Sequence, residues 1–167
     1  PTRTGILDVY KAMGANIEIL NERTMSNEPV ADLIVKSSNL KATNIEGDII
    51  ARLLEEIPII TLAAVMAEGT TTIKNLSGFK IKDSGKISLL VTELLKLGAK
   101  IQETEDGLII DGLNKPLKGT ILESHNDYIL AMSLIIAGLV SEGETMVKKS
   151  QVLDIAFPEF IPTIKRL

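Results

Sequence analysis

Apolar residues recur along this chain with two different periods, and glycines stand near many points where one period gives way to the other. A period near 3.6 residues predicts a helix with a buried face, and a period of two predicts a half-buried strand. The polar segment 21–29, which holds Asn, Ser and Pro, is predicted to be a loop. The helical period covers 4–13, 58–67, 87–97 and 127–140. The period of two covers 16–20, 33–35, 41–45, 70–74, 100–102, 108–110, 120–122 and 145–147.

The predicted helices have suitable residues at their ends. Thr2 or Thr4 suits the N-cap of the first helix, and Asp83 or Ser84 suits the N-cap of the third. Pro58 fits the first turn of the second helix, where its missing N–H costs nothing. The second and fourth helices are apolar on almost every side, which predicts that most of their faces are buried.

The order of predicted elements runs twice through the chain. The extra segment 21–29 accounts for the drop from the first offset to the later ones. The repeat predicts two α/β modules, 1–78 and 79–167, that belong to one domain of a larger protein. We therefore expect an α/β (α+β) fold of repeated modules with buried helices and outer sheets. The matching segments lie 84, 75 and 74 residues apart: 13–17 with 97–101, 33–35 with 108–110, and 67–71 with 141–145.

Composition indicates a globular protein with an aliphatic core. The chain has 167 residues, of which 45% are apolar, 24% charged and 3% aromatic. Its net charge of −4 predicts no bulk attraction to nucleic acid or to an anionic membrane. The most apolar run, 57–67, is far shorter than the roughly 20 residues of a membrane span. The lack of Cys fits a cytoplasmic protein, and the start at Pro1 suggests a processed or excised piece.

The segment 79–86 joins the two modules and concentrates charge. Its lysines 80, 82 and 86 surround a predicted helix start, where backbone N–H groups favour a phosphate or carboxylate. The same lysines are also typical of a solvated linker before a capped helix. Glu55 and Asp83 each precede a predicted helix. They are either a pair that performs acid–base chemistry or two separate carboxylates that each favour a helix N-terminus.

His125 is the single histidine, and it lies just before the fourth helix. It is either a general base or a residue of a surface turn. One His without any Cys gives little support for a zinc site. The glycines form neither a phosphate-binding Walker loop nor a dinucleotide fingerprint.

Taken in order, the motifs resemble the C-terminal part of the 5-enolpyruvylshikimate-3-phosphate synthase family over nearly the whole chain. Several ordered matches with sensible gaps are more specific than any one of them. The matching segments are 1–5, 13–15, 55–58, 67–71, 80–86, 97–99, 106–108, 127 with 131–132, and 156–160.

The resemblance implies two domains of three repeated units each, with substrates bound in the cleft between the domains. This chain would supply about two units of one domain. The implied partners are phosphoenolpyruvate, shikimate 3-phosphate and the remaining N-terminal part of the same protein, and no metal or organic cofactor is implied. The resemblance assigns acid–base roles to Glu55 and Asp83. It assigns substrate binding to Lys82, Lys86 and Asp127.

Several of these positions depart from the family's pattern. Glu55 and Asp83 keep the carboxylate on an arm that differs by one methylene, and Lys86 replaces an arginine, which removes a two-point grip on anions. Tyr128 and Ile129 stand where the family has a histidine and the arginine that binds phosphoenolpyruvate. Two functions follow. The chain belongs either to an enolpyruvyl transferase or to a divergent, catalytically impaired homologue that only binds an anionic ligand or a partner.

Overall fold

The structure is a computed structural model that describes residues 4–79, 85–113 and 115–166. Its helices are α1 (Gly5–Ala12), α2 (Ile57–Met66), α3 (Lys86–Lys96), α4 (Tyr128–Leu139), α5 (Leu153–Ala156) and α6 (Phe160–Ile164). Its strands are β1 (Asn16–Met25), β2 (Glu28–Lys36), β3 (Asn44–Ile45), β4 (Thr70–Ile73), β5 (Lys100–Glu103), β6 (Leu108–Asp111), β7 (Leu117–Lys118), β8 (Ile121–Glu123), β9 (Ser141–Glu142) and β10 (Met146–Lys148). Short 3₁₀ helices span Gly47–Arg52, Ser77–Phe79 and Ser150–Val152.

The four helices expected from the helical period are present, and the two apolar ones lie in the core. Helix α2 has Pro58 in its first turn, as predicted, and buries seven of its ten residues. Thr61 is fully buried in this helix because its hydroxyl donates a hydrogen bond of 2.8 Å to the carbonyl of Ile57. Helices α2 and α4 pack against each other, and α2 also packs against β6.

The prediction of a loop over 21–29 is wrong. Strands β1 and β2 run through this segment as one long antiparallel hairpin, in which Met25 pairs with Glu28. The turn is formed by Ser26 and Asn27, whose φ angles are 50° and 63°. Positive φ at both turn residues gives a twist that matches the twist of the flanking strands. The segment is exposed on both faces, so its sequence shows no alternation of apolar and polar residues.

Two predicted N-caps also need correction. Helix α3 is capped by Gly85 in the left-handed conformation, with φ 71°, rather than by Asp83 or Ser84, both of which lie outside the described residues. Glycine adopts this conformation at little cost. Thr4 is the N-cap of α1, but its side chain makes no capping bond. Its hydroxyl oxygen instead accepts a hydrogen bond of 2.9 Å from the Arg52 guanidinium.

Backbone pairing reproduces the repeat. In the first hairpin, residues 16–19 pair with 36–33, and in the second hairpin 100–103 pair with 111–108 in the same register. Each module then makes the same long-range backbone bonds after its first helix. The equivalent pairs are Lys41 N–H to Met13 carbonyl at 2.8 Å with Lys118 N–H to Leu97 carbonyl at 2.9 Å, and Ala42 N–H to Glu68 carbonyl with Gly119 N–H to Glu142 carbonyl, both at 2.7 Å.

One sheet joins the two modules. Its strand order is β3–β4–β6–β5, with β4 of the first module antiparallel to β6 of the second. Gly112, at the end of β6, lies so close to the first module that a Cβ there would be 1.7 Å from the Ala67 carbonyl oxygen. The modules are therefore parts of one packed body. The boundary between residues 78 and 79 stays a prediction, because 80–84 are outside the described residues.

Candidate functional site

Three helices begin beside one another at one end of the core. Helices α2, α3 and α4 pack pairwise, and residues at or just before their first turns line a common pocket of about 240 Å³. The first turn of a helix has N–H groups without intrahelical partners and carries the positive end of the macrodipole. Three such ends around one pocket favour a ligand with a negative charge.

Lys86 and Asp127 form an ion pair at the rim of this pocket. The Lys86 ammonium lies 2.7 Å from the Asp127 carboxylate. The lysine side chain is 60% exposed, whereas the aspartate side chain is only 17% exposed. The lysine therefore keeps contact with solvent, and a ligand that approaches it meets the pair rather than an isolated cation.

Asp127 also caps helix α4. Its carboxylate accepts hydrogen bonds of 2.9 Å and 3.0 Å from the backbone N–H groups of Ile129 and Leu130. Burial alone raises the pKa of Asp127, but the hydrogen bonds from Lys86 and from these two N–H groups outweigh it, and the pKa lies below its ordinary value. Asp127 is thus held as a carboxylate by both the helix and the lysine.

The rest of the pocket is mostly apolar. Glu55 supplies a third charged side chain, from the turn that precedes α2. Tyr128 and Ile129, in the first turn of α4, form part of the wall where the resemblance implies a histidine and an arginine. Further apolar lining comes from Leu54, Ile57, Pro58, Ile87, Leu89, Leu90 and Leu130.

The structure thus brings together three of the five residues predicted for the site, namely Glu55, Lys86 and Asp127. The other two, Lys82 and Asp83, lie outside the described residues, so the pairing of Asp83 with Glu55 stays a prediction. The roles of all five residues in catalysis or binding are taken up below as proposals.

Glu93 was not singled out from the sequence, yet it is the most buried charged group near these helices. Its side chain is 1% exposed on α3 and accepts hydrogen bonds of 2.7 Å and 2.8 Å from Lys96 and of 3.0 Å from the Glu123 N–H. Burial raises its pKa, but the bonds from Lys96, Glu123 and His125 outweigh burial and lower it overall. A sequence signal existed, because Glu93 lies three residues after Leu90 and four before Leu97 in the apolar stripe.

His125 belongs to this buried cluster and is not among the residues that line the pocket. Its Nε2 lies 3.2 Å from a Glu93 carboxylate oxygen, and its φ of 52° places it in a left-handed turn with Asn126. Since Asp127 follows directly, the contact between Glu93 and His125 links α3 to the start of α4. Of the two interpretations of His125, the structure places it in the turn, and it contributes to the site by positioning Asp127.

Two further classes of site were searched for within the described residues. No group of three or more His, Cys, Asp or Glu side chains in the described part of the chain is arranged to hold a metal ion. Across 4–79, 85–113 and 115–166, each helix falls short of the length and apolar character that a membrane crossing requires.

Comparison with known proteins identifies relatives along the whole chain. The family model described as EPSP synthase (3-phosphoshikimate 1-carboxyvinyltransferase) matches residues 1–164. A protein of Thermoanaerobacter sp. (strain X514) named 3-phosphoshikimate 1-carboxyvinyltransferase is 52% identical over 167 residues, which is 100% of this chain and 39% of that protein. A protein of the same name from Alkaliphilus oremlandii is 46% identical over the same share of both chains.

Solved structures agree with these matches. EPSP synthase from Acinetobacter baumannii superposes with a TM-score of 0.93 at 34% identity, over 99% of this chain and 39% of that one. The enolpyruvyl transferase NikO from Streptomyces tendae superposes with a TM-score of 0.72 at 20% identity, over 99% and 35%, and so shares the fold. The expected fold class is confirmed. The chain spans about two-fifths of the length of the curated relatives it matches.

Proposed function

The chain belongs to the EPSP synthase family, and we propose that the full-length protein containing it is an enolpyruvyl transferase of the cytoplasm. In the proposed reaction the 5-hydroxyl of shikimate 3-phosphate attacks C2 of phosphoenolpyruvate while C3 gains a proton. Loss of that proton and of inorganic phosphate then restores the vinyl group. The observation that carries this proposal is the pocket at which Glu55, Lys86 and Asp127 meet.

The proposed roles follow from the chemistry of the residues. The reaction needs a base at the hydroxyl and an acid at C3, and we assign these steps to Glu55 and Asp83. Lys82 and Lys86 provide positive charge for the anionic substrates, in the field of the helix N-termini. Asp127 holds the Lys86 ammonium in place, at 2.7 Å. No metal or organic cofactor enters the scheme.

A second function is favoured by the wall of the pocket. Tyr128 and Ile129 supply no cation there, and the charge of Lys86 is shared with Asp127. A charged hydrogen bond is worth about 1.5–3 kcal/mol, so a missing arginine weakens anion binding by roughly 10- to 100-fold. In this alternative the protein binds an anionic ligand or a partner without turning it over.

Phosphate release by the full-length protein, with both substrates supplied, tests the first function. We expect turnover in the wild type and a loss of about 10²-fold or more in Glu55→Gln, since a positioned acid or base contributes about 10²–10⁴-fold. Glu144→Gln, at an exposed glutamate outside the pocket, is the matched control and should keep wild-type turnover.

Calorimetry with both substrates separates the two functions. Binding of both substrates without phosphate release supports the second function, and a Tyr128→His, Ile129→Arg variant should then gain affinity for phosphoenolpyruvate by about 10- to 100-fold. Failure of the wild type to bind either substrate would overturn the assignment of this pocket to an enolpyruvyl transferase.

A further inference from the structure

The β1–β2 hairpin and its copy in the second module have very different surroundings. The two hairpins share one register, so Leu33 and Val35 are the equivalents of Leu108 and Ile110. Leu108 and Ile110 are 1% and 0% exposed, whereas Leu33 and Val35 are 47% and 67% exposed. The same aliphatic positions of the repeat are therefore covered in one module and uncovered in the other.

The cover in the second module comes from the module before it. Strand β4 pairs along β6, with Thr71 opposite Ile110 and Ile73 opposite Leu108. Helix α2, which precedes β4, packs on the same strand, and the Leu113 N–H donates a bond of 2.8 Å to the Val65 carbonyl in that helix. A strand and the apolar helix before it are thus what buries a β6-type strand.

The first hairpin has an open edge and an open groove where that cover would lie. Within the described residues β1 is the strand that pairs with β2, so the other edge of β2 presents backbone groups to solvent. On the face that carries Ile19 and Leu33, a groove of about 580 Å³ runs between the hairpin and α1, where it is lined by Leu7. Successive side chains alternate between faces, so Val35 belongs to this face and Ile34 to the opposite one.

We propose that β2 docks a helix–strand pair of the α2–β4 type, supplied by the part of the full-length protein that lies outside this chain. Its strand runs antiparallel to β2 along residues 33–36, in the register of β4 on β6. Its apolar helix fills the groove between α1 and the hairpin. The chain spans 39% of the length of its relatives, so a further copy of the unit has room in the remaining sequence.

A second copy of this chain is the competing occupant. Helix α4 and strand β10 are the second module's equivalents of α2 and β4, so the end of one copy has the shape to dock on β2 of another. The remainder of the full-length protein is favoured because it is covalently attached to the hairpin, which gives it a high effective concentration. The two occupants differ in how they depend on protein concentration.

Thiol labelling of the variant Val35→Cys tests the proposal, because the chain has no cysteine of its own. Ile34→Cys is the matched control on the opposite face of the same strand. In the 167-residue chain both thiols should react at similar rates at every concentration. In the full-length protein, followed by mass spectrometry of the labelled peptide, Val35→Cys should react at least 100-fold more slowly and Ile34→Cys less than tenfold more slowly.

Two outcomes would overturn the proposal. Equal labelling of both thiols in the full-length protein would show that the face stays open. Protection of Val35→Cys in the 167-residue chain that grows with concentration, together with a doubled mass by light scattering, would assign the face to a second copy. Hydrogen exchange of wild-type protein provides a readout without substitution, since amides within 33–36 should exchange at least 100-fold more slowly in the full-length protein than in the chain alone.

Discussion

Substitution of Asp127 separates its two structural roles, which are the cap of α4 and the partner of Lys86. Asparagine caps a helix about as well as aspartate does, whereas alanine does not. We therefore expect Asp127→Asn to lose only the charge interactions and Asp127→Ala to lose the cap as well.

The magnitudes follow from the contacts of the Asp127 carboxylate. The loss of its two backbone hydrogen bonds, at 2.9 Å and 3.0 Å, costs about 1 kcal/mol. The pair with Lys86 is worth about 0.5 kcal/mol because the lysine is 60% exposed, and the interaction with the helix macrodipole adds about 0.5 kcal/mol. Asp127→Asn should lower the free energy of unfolding by about 1 kcal/mol, and Asp127→Ala should lower it by about 2 kcal/mol.

Thermal and urea unfolding of the chain measure both values. For a protein of this size 1 kcal/mol corresponds to about 2–4 °C in Tm, so Asp127→Ala should melt about 4–8 °C below the wild type. A double-mutant cycle of Lys86→Met with Asp127→Asn should give a coupling near 0.5 kcal/mol. If Asp127→Asn were as destabilising as Asp127→Ala, the cap would not be the source of the difference.

The pH dependence of the same variants provides a second check. The folded-state pKa of Asp127 is lowered, so the stability it adds is present above the unfolded-state pKa of about 3.9 and is lost as pH falls through the folded-state pKa. The difference in unfolding free energy between the wild type and Asp127→Asn should be constant near neutral pH and shrink below about pH 4. A difference that grows at low pH would contradict the lowered pKa.

Two further predictions concern positions away from the pocket. Glu93→Ala should lower the free energy of unfolding by about 1–3 kcal/mol, because it leaves the Glu123 N–H without its acceptor inside the protein. The exposed neighbour Thr92→Ala is its control, with a change within about 0.5 kcal/mol. Gly112→Ala should cost about 3 kcal/mol or more, since its Cβ would lie 1.7 Å from the Ala67 carbonyl oxygen. Gly78→Ala, with no atom within 4 Å of the new Cβ, should unfold at nearly the wild-type urea concentration.

The sequence was sufficient for the helices, for most strands and for the repeat. Helical and strand periods are local, because each depends only on which face of one element is buried. The offsets of 84 and 75 residues between equivalent segments proved to be the register of two real hairpins. The segment 21–29 was missed for the same reason, since a strand with two exposed faces has no period to detect.

The tertiary structure decided what the local patterns do not encode. The approach of Lys86 to Asp127, the burial of Glu93 and the contact of Gly112 with Ala67 all join residues that are distant in sequence or on different elements. Such contacts depend on how helices pack and how strands align, and a shift of one residue would change every one of them. The sequence by itself therefore determined the elements, their repetition and the residue types available for a site, whereas the packing of three helix starts determined that Glu55, Lys86 and Asp127 share one pocket.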